Sequence, residues 1–245
     1  MARPTRTADE RRQGCMRAAA TMRELARRSG TSNPHQFAGH FDAITNMETQ
    51  ASGKWRQCFS GDKALSAQQL RLLSFVDANV AKLHDAGPCG LWHALWGDEQ
   101  ALWQLCRTRL DSDGPMTDDR IWSAIVDEFT EERDFGSTLA EFEAEMLLAE
   151  AYGRPLTLRH LTEAVALCRL HQALRSLAVL NIDGRGIVRC LRVCLADTSV
   201  LSELARLGVL DGVREELADV IDSAEADLPA LDRWDALASK VNWIC

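Results

Sequence analysis

The chain has 245 residues, 46% of them hydrophobic and 26% charged, with a formal net charge of −8. That length exceeds one typical domain and that composition excludes intrinsic disorder, so a folded chain with an ample apolar core is expected almost throughout. Charge is uneven: residues 1–90 hold 13 Lys and Arg against 8 Asp and Glu, while residues 91–245 hold 15 against 28, which leaves only the N-terminal part as a candidate for an anionic partner.

The first residues are too polar for a secretory leader, and no apolar run nears the roughly 20 residues of a membrane helix. A cytoplasmic location with no membrane partner is expected. The eight cysteines, at positions 15, 58, 89, 106, 168, 190, 194 and 245, then read as reduced core residues.

Thr7 and Glu10 form a T-x-x-E capping box for a first helix that buries Cys15, Ala18, Ala19, Met22, Leu25 and Ala26 and stops at Gly30. Its other face carries Arg12, Arg17, Arg23, Arg27 and Arg28, and reads either as a solvated face or as a phosphate-contacting one. Asn33 caps a second helix with Pro34 in its first turn and Phe37, Ala38, Phe41 and Ile44 on its buried face. Met47, Ala51, Trp55 and Cys58 fall on one stripe of a third helix, weakened by Ser52-Gly53. After the turn Ser60-Gly61-Asp62-Lys63, Ser66 and Gln69 make a second capping box, opening a single helix with Leu70, Leu73, Val76, Val80 and Leu83 inward.

The succession of ELARRSG (24–30), NPHQFAGHF (33–41) and GKWRQCFSGDKALSAQQLRLL (53–73) resembles the XRE/Cro-type helix-turn-helix over about the first ninety residues, with Leu65 where that family has a proline. Gly53-Lys54-Trp55 and Leu91-Trp92-His93-Ala94-Leu95-Trp96 are also similar to segments of a group of uncharacterised bacterial proteins associated with mobile elements. The resemblance implies a DNA-binding-like fold in which Thr49, Gln50, Ser52, Lys54 and Arg56 lie near bases or phosphates, with Lys63 as a further cation. The plainer alternative makes Trp55 a core residue only.

Further on, Trp92 and Trp96 share one helix face, with Trp103 two turns beyond and Trp122 in a neighbouring helix; this cluster reads as a seam between halves. Residues 111–119 read as an exposed acidic loop, and Ile121, Trp122, Ile125, Val126 and Phe129 as a helical stripe. After Gly136, Thr138 and Glu141 make a third capping box, for a helix that buries Leu139, Phe142 and Met146 and ends at Gly153 and Pro155. Thr157 caps a long amphipathic helix to about Leu180, which turns at residues 181–186. Ile187–Leu195 suits a strand or a helix, and Arg189 with Arg192 three residues on favours the helix. Two more helices carry Leu201, Leu204 and Ala205, and, after an Asp211 cap, Val213, Leu217, Val220 and Ile221; a last one follows Pro229.

The predicted fold is all-α: a helix-turn-helix-like basic module over residues 1–97, connecting helices over 98–136 and an acidic helical bundle over 137–245. No phosphate loop, nucleophile elbow, H-E-x-x-H or C-x-x-C motif occurs, so no catalytic residue and no cofactor is implied. A helical hairpin turning at residues 181–186 would bring Cys168, His171, Cys190 and Cys194 together as a zinc-type set; core cysteines at helical spacing explain the same pattern without metal. Two function classes stand ahead of an enzyme. One is a DNA-binding regulator or accessory protein that uses the bundle for a homodimer or partner. The other is a protein-interaction factor, such as an inhibitor or host-interaction protein, that uses the same module as a dock. The basic N-terminus favours the first and the overall acidity the second.

Overall fold

The computed structural model describes residues 7–110, 132–176 and 184–226, and among them every regular element is helical. In chain order these are α1 (Ala8–Arg28), α2 (Pro34–Thr45), α3 (Thr49–Ser52), α4 (Arg56–Ser60), α5 (Ala67–Leu73), α6 (Val80–Ala86), a 3-10 turn at Pro88–Gly90, α7 (Leu91–Trp96), α8 (Glu99–Leu110), α9 (Glu132–Ala151), α10 (Leu158–Ser176), α11 (Arg185–Ala196), α12 (Thr198–Leu207) and α13 (Leu210–Ala226). The expected strand-or-helix run Ile187–Leu195 lies within α11, as helix. The predicted elements at residues 111–129 and after Pro229 lie outside the described residues.

Local chemistry sets most of the starts. The Thr7 hydroxyl accepts from the Glu10 amide at 3.1 Å while the Glu10 carboxylate accepts from the Thr7 amide at 2.9 Å, and Ser66 with Gln69 repeats the arrangement at α5. Asn33 accepts from the Gln36 amide at the head of α2, where Pro34 loses no hydrogen bond. Asp197 caps α12 through the Ser199 and Val200 amides.

Four elements differ from the sequence expectation. The third helix is two short pieces, because Gly53 takes a left-handed conformation (φ 60°) that closes α3 after one turn; Met47 and Ala51 are then exposed while Trp55 and Cys58 stay buried. The fourth is also two, since the Phe75 and Val76 amides tighten onto Leu72 and Leu73, three residues back, and the Asp77 carboxylate takes the Asn79 amide. The helix expected to start at Thr138 instead runs through Gly136 without a break. The helix expected to be amphipathic, α10, is covered on every side: Leu161 through Cys168 are all buried, more than two full turns.

Two apolar cores result. The smaller gathers Phe37, Phe41, Trp55, Phe59, Leu65, Leu73 and Val80 around Ala18, Met22, Leu25 and Ala26 of α1. The larger surrounds α10, which packs on α7, α8, α11, α12 and α13. Met16, Ala19 and Ala20 place α1 in this core too, so α1 is the element that the N-terminal module and the C-terminal bundle share. Small alanines on both flanks let neighbours approach closely.

The tryptophan pair belongs to the larger core. Trp92 is fully buried and stacks on Trp96, with ring centroids 5.0 Å apart and planes 15° from parallel. Trp96 is half-buried, donates from Nε1 to Glu216 on α13 and lies under the Arg17 guanidinium of α1. Trp103 meets Phe135 edge-on. Emptying the Trp92 site by Trp92→Ala should lower the unfolding free energy by about 3–5 kcal/mol in urea titration, whereas Phe75→Ala, at a position 68% exposed, should change it by less than about 0.5 kcal/mol.

Candidate functional site

The five arginines on α1 are the first candidates for a partner. The structure engages every one of them within the chain, four with other segments and Arg27 with Glu24 of α1 itself. Arg12 pairs with Glu215 and Glu216 on α13, and Arg17 with Asp85 on α6. Arg23 donates Nε to the Phe59 carbonyl at 3.3 Å and Nη1 to the Ala205 and Arg206 carbonyls at 3.4 and 3.3 Å. One guanidinium therefore ties the last turns of α4 and α12 together through their carbonyls. A Cβ on Gly208, which follows α12 at φ +70°, would meet the Arg23 guanidinium carbon at 2.5 Å, so glycine is required there on both counts. Arg27 and Arg28 bind Glu24, and Arg28 also binds Asp77.

Glu24 is 7% exposed and holds three guanidiniums: Arg27 at 2.7 Å, Arg28 at 3.0 Å and Arg206 of α12 at 3.0 Å. Burial by itself raises a carboxyl pKa, but here hydrogen bonds from the three arginines outweigh it and hold Glu24 at about 2. Arg206 gains in turn, its pKa raised by hydrogen bonds to Glu203 and, against burial, to Glu24. Neither Glu24 nor Arg206 is singled out by the sequence; the traces are the i, i+3 and i, i+4 spacings of Glu24 with Arg27 and Arg28 and the i, i+3 spacing of Glu203 with Arg206.

The residues around Trp55 form a second, local net. Trp55 is buried edge-on against Phe37 and Phe41, and its Nε1 donates to the Thr49 hydroxyl at 3.0 Å. Thr49 is 3% exposed; its hydroxyl and amide, with the Gln50 amide, all donate to Asp42. Those bonds lower the Asp42 pKa despite its burial. The Gln50 side chain donates to the His35 carbonyl, and the Ser52 hydroxyl to the Thr49 carbonyl. Lys54 sits over the Trp55 ring at 5.3 Å. Among the expected contact residues, Arg56 and Lys63 alone are exposed with no ion-pair partner among the described residues.

Two surfaces are of interest because they carry residues singled out from the sequence. The first is a cleft of about 580 Å³ where α1, the start of α2, α4 and α12 meet. It is lined by Arg23, Arg27 and Arg56, which the sequence singled out, and by Arg206, which it did not. The second is the apolar end of α2. Ile44, expected in the core, is 49% exposed because α2 projects past Phe41 before stopping at left-handed Asn46. It continues the face of Phe37 and Phe41, at i+7 and i+3, beyond the edge of the core, and Met47, 36% exposed, follows just past the helix end.

The zinc-type set behaves as core. Cys168, His171, Cys190 and Cys194 are all buried on α10 and α11, which pack together, yet among the described residues no three His, Cys, Asp or Glu side chains converge as a metal-binding group. Burial pushes the Cys168 thiol up to about 12, while burial with Glu143 takes Cys190 to about 11 and burial with Cys190 and Asp197 takes Cys194 to about 12. In this environment all three groups are held as thiols.

Comparisons with protein-family models, curated proteins and solved structures each return no match, so neither the helix-turn-helix family nor the mobile-element group is recovered in that way.

Acid should act on the Glu24 hub and on His84. Burial, then the nearby Arg17 cation, depresses His84 to about 4 from an ordinary 6.5, and its Nε2 is buried without a hydrogen bond. Both folded pKa values lie below the unfolded ones, so the unfolded chain binds protons first and stability falls with falling pH. The His84 contribution is lost between about pH 6.5 and 4, and the Glu24 contribution between about 4.5 and 2. Glu24→Gln should cost about 1.5–3 kcal/mol at pH 7 and flatten the lower segment of the urea-midpoint-against-pH curve while leaving the upper segment in place.

Proposed function

We propose that this chain is a non-enzymatic recognition protein, a protein-interaction factor whose N-terminal module docks a partner at the apolar end of α2. The observation that carries the reading is the exposure of two large apolar side chains, Ile44 in the last turn of α2 and Met47 just beyond it, at the end of a helix anchored in the core through Phe37 and Phe41. Adjacent exposed apolar side chains held on a fixed helix end suit an apolar groove of a partner. Neither side chain is charged, which matches an uncharged groove and not a polymer carrying one charge per repeat.

A DNA-binding regulator stands second, supported by the unpaired Arg56 and Lys63. Against it, the piece before Trp55 is one turn long, Thr49 is buried, and the α1 arginines are engaged by acids and carbonyls of the same chain. A groove-reading helix presents three or four free side chains to base edges.

Two measurements test the choice. A photo-crosslinking residue at Ile44 should capture a discrete protein that Met47→Glu releases, while the same residue at exposed Arg71 should not capture it; equal labelling from both positions overturns the reading. Selection from random duplexes at moderate salt should enrich no motif. An enriched motif, with a log–log salt slope of about −0.9 per phosphate contacted that shrinks in Arg56→Ala, would move the function to DNA.

A further inference from the structure

The arginine cleft is unlike the rest of this acidic surface. Four guanidiniums line it, and no carboxylate is among its lining residues. Three are fixed from behind before any ligand arrives: Arg23 by the carbonyls of α4 and α12, Arg27 by Glu24, and Arg206 by Glu24 and Glu203. The fourth, Arg56, is exposed and its guanidinium has no partner among the described residues. Four cations against the two bonded carboxylates, Glu24 and Glu203, leave a surplus of two positive charges. Adding Arg28 and its Asp77 leaves that surplus unchanged.

The donors are unevenly used. Arg23 Nη2 makes no hydrogen bond, and the heads of Arg27 and Arg206 each keep N–H groups beyond those given to carboxylates. The hydroxyls at the rim are already donating, Thr31 to the Ala26 carbonyl, Ser32 to Gln36 and Ser60 to Asp62, so the arginines are the donors on offer. The positive end of α2 enters the same wall at Ser32 and Pro34. The volume of about 580 Å³ exceeds what a bare oxyanion fills and lies in the range of small-molecule sites. Ala26, Pro34 and Phe59 supply an apolar side to it.

We propose that this cleft binds a phosphomonoester, with the dianionic phosphate on Arg23, Arg27, Arg56 and Arg206 and the organic part against Pro34 and Phe59. Planar guanidiniums match phosphate oxygens in pairs, and holding them in place beforehand lowers the entropy lost on binding. The site lies at the start of α2 and the docking patch at its far end, and neither proposal depends on the other.

The test uses the whole chain, with thermal shift and isothermal titration calorimetry at constant ionic strength. Phenyl phosphate should raise the melting temperature and bind at least about tenfold more tightly than inorganic phosphate, because only the ester reaches the apolar side. A phosphoserine peptide and free phosphoserine distinguish the source of the phosphate: tighter binding of the peptide assigns a phosphorylated protein, equal binding a free metabolite. Arg56→Gln should leave the ligand-free melting temperature unchanged and weaken phenyl phosphate at least tenfold, and Arg27→Gln should weaken it as well. No shift beyond matched sodium chloride, an equal response to sodium sulfate, or undiminished binding in both variants would overturn the proposal.

Discussion

Arg23 and Glu24 stand side by side on α1, and both end on the last turn of α12, one on its carbonyls and the other on Arg206. Around this point two apolar cores are laid against opposite flanks of a single helix. An apolar seam would bring α1 and the bundle together but would slide; the hub is directional, because a guanidinium on backbone carbonyls and a carboxylate on three guanidiniums tolerate little displacement. The exposed ion pairs along α1 are individually weak. Glu24 differs, since it is buried and every partner lost would leave charge out of water.

The same hub explains why formal charge misleads. Counting arginines on the first helix detects a basic stripe, but apart from Glu24 the acids that answer it, at 77, 85, 215 and 216, lie up to about two hundred residues away and are brought close only by the fold. A helical wheel carries no information on such partners. What it does convey held well: the caps at Thr7, Asn33 and Ser66, the all-α class, the burial of Trp55 and the pairing of Trp92 with Trp96 all follow from short-range geometry.

The misreadings have local physical causes. At Gly53 a continuing apolar stripe outweighed the glycine in the sequence reading, whereas in the structure the left-handed stop prevails. At Ser74–Asn79 the i, i+3 and i, i+4 spacing of Leu73, Val76 and Val80 is real, and all three pack on the smaller core, yet side-chain and tight-turn hydrogen bonds split the helix between them. For α10, alternation with polar residues suggested one wet face, but Thr162, Glu163 and His171 are buried with the rest. Of the candidate surfaces, the sequence supplied three of the four cleft arginines without their convergence, and placed Ile44 and Met47 inside when both face out.

The sharing of α1 also sets an order of events during synthesis. Arg23 finds its carbonyls 182 and 183 residues downstream, and Arg12 reaches Glu216 across 204. At about 5–20 residues per second, some 10–40 s pass before those partners leave the ribosome. Throughout that interval α1 has one flank able to pack on α2 and α4 and another, with Met16, Ala19 and Ala20, without its partners from α12 and α13. The nascent module is thus half-lined until α12 and α13 have been made, and its docking onto the bundle is a long-range closure rather than a stepwise growth along the chain.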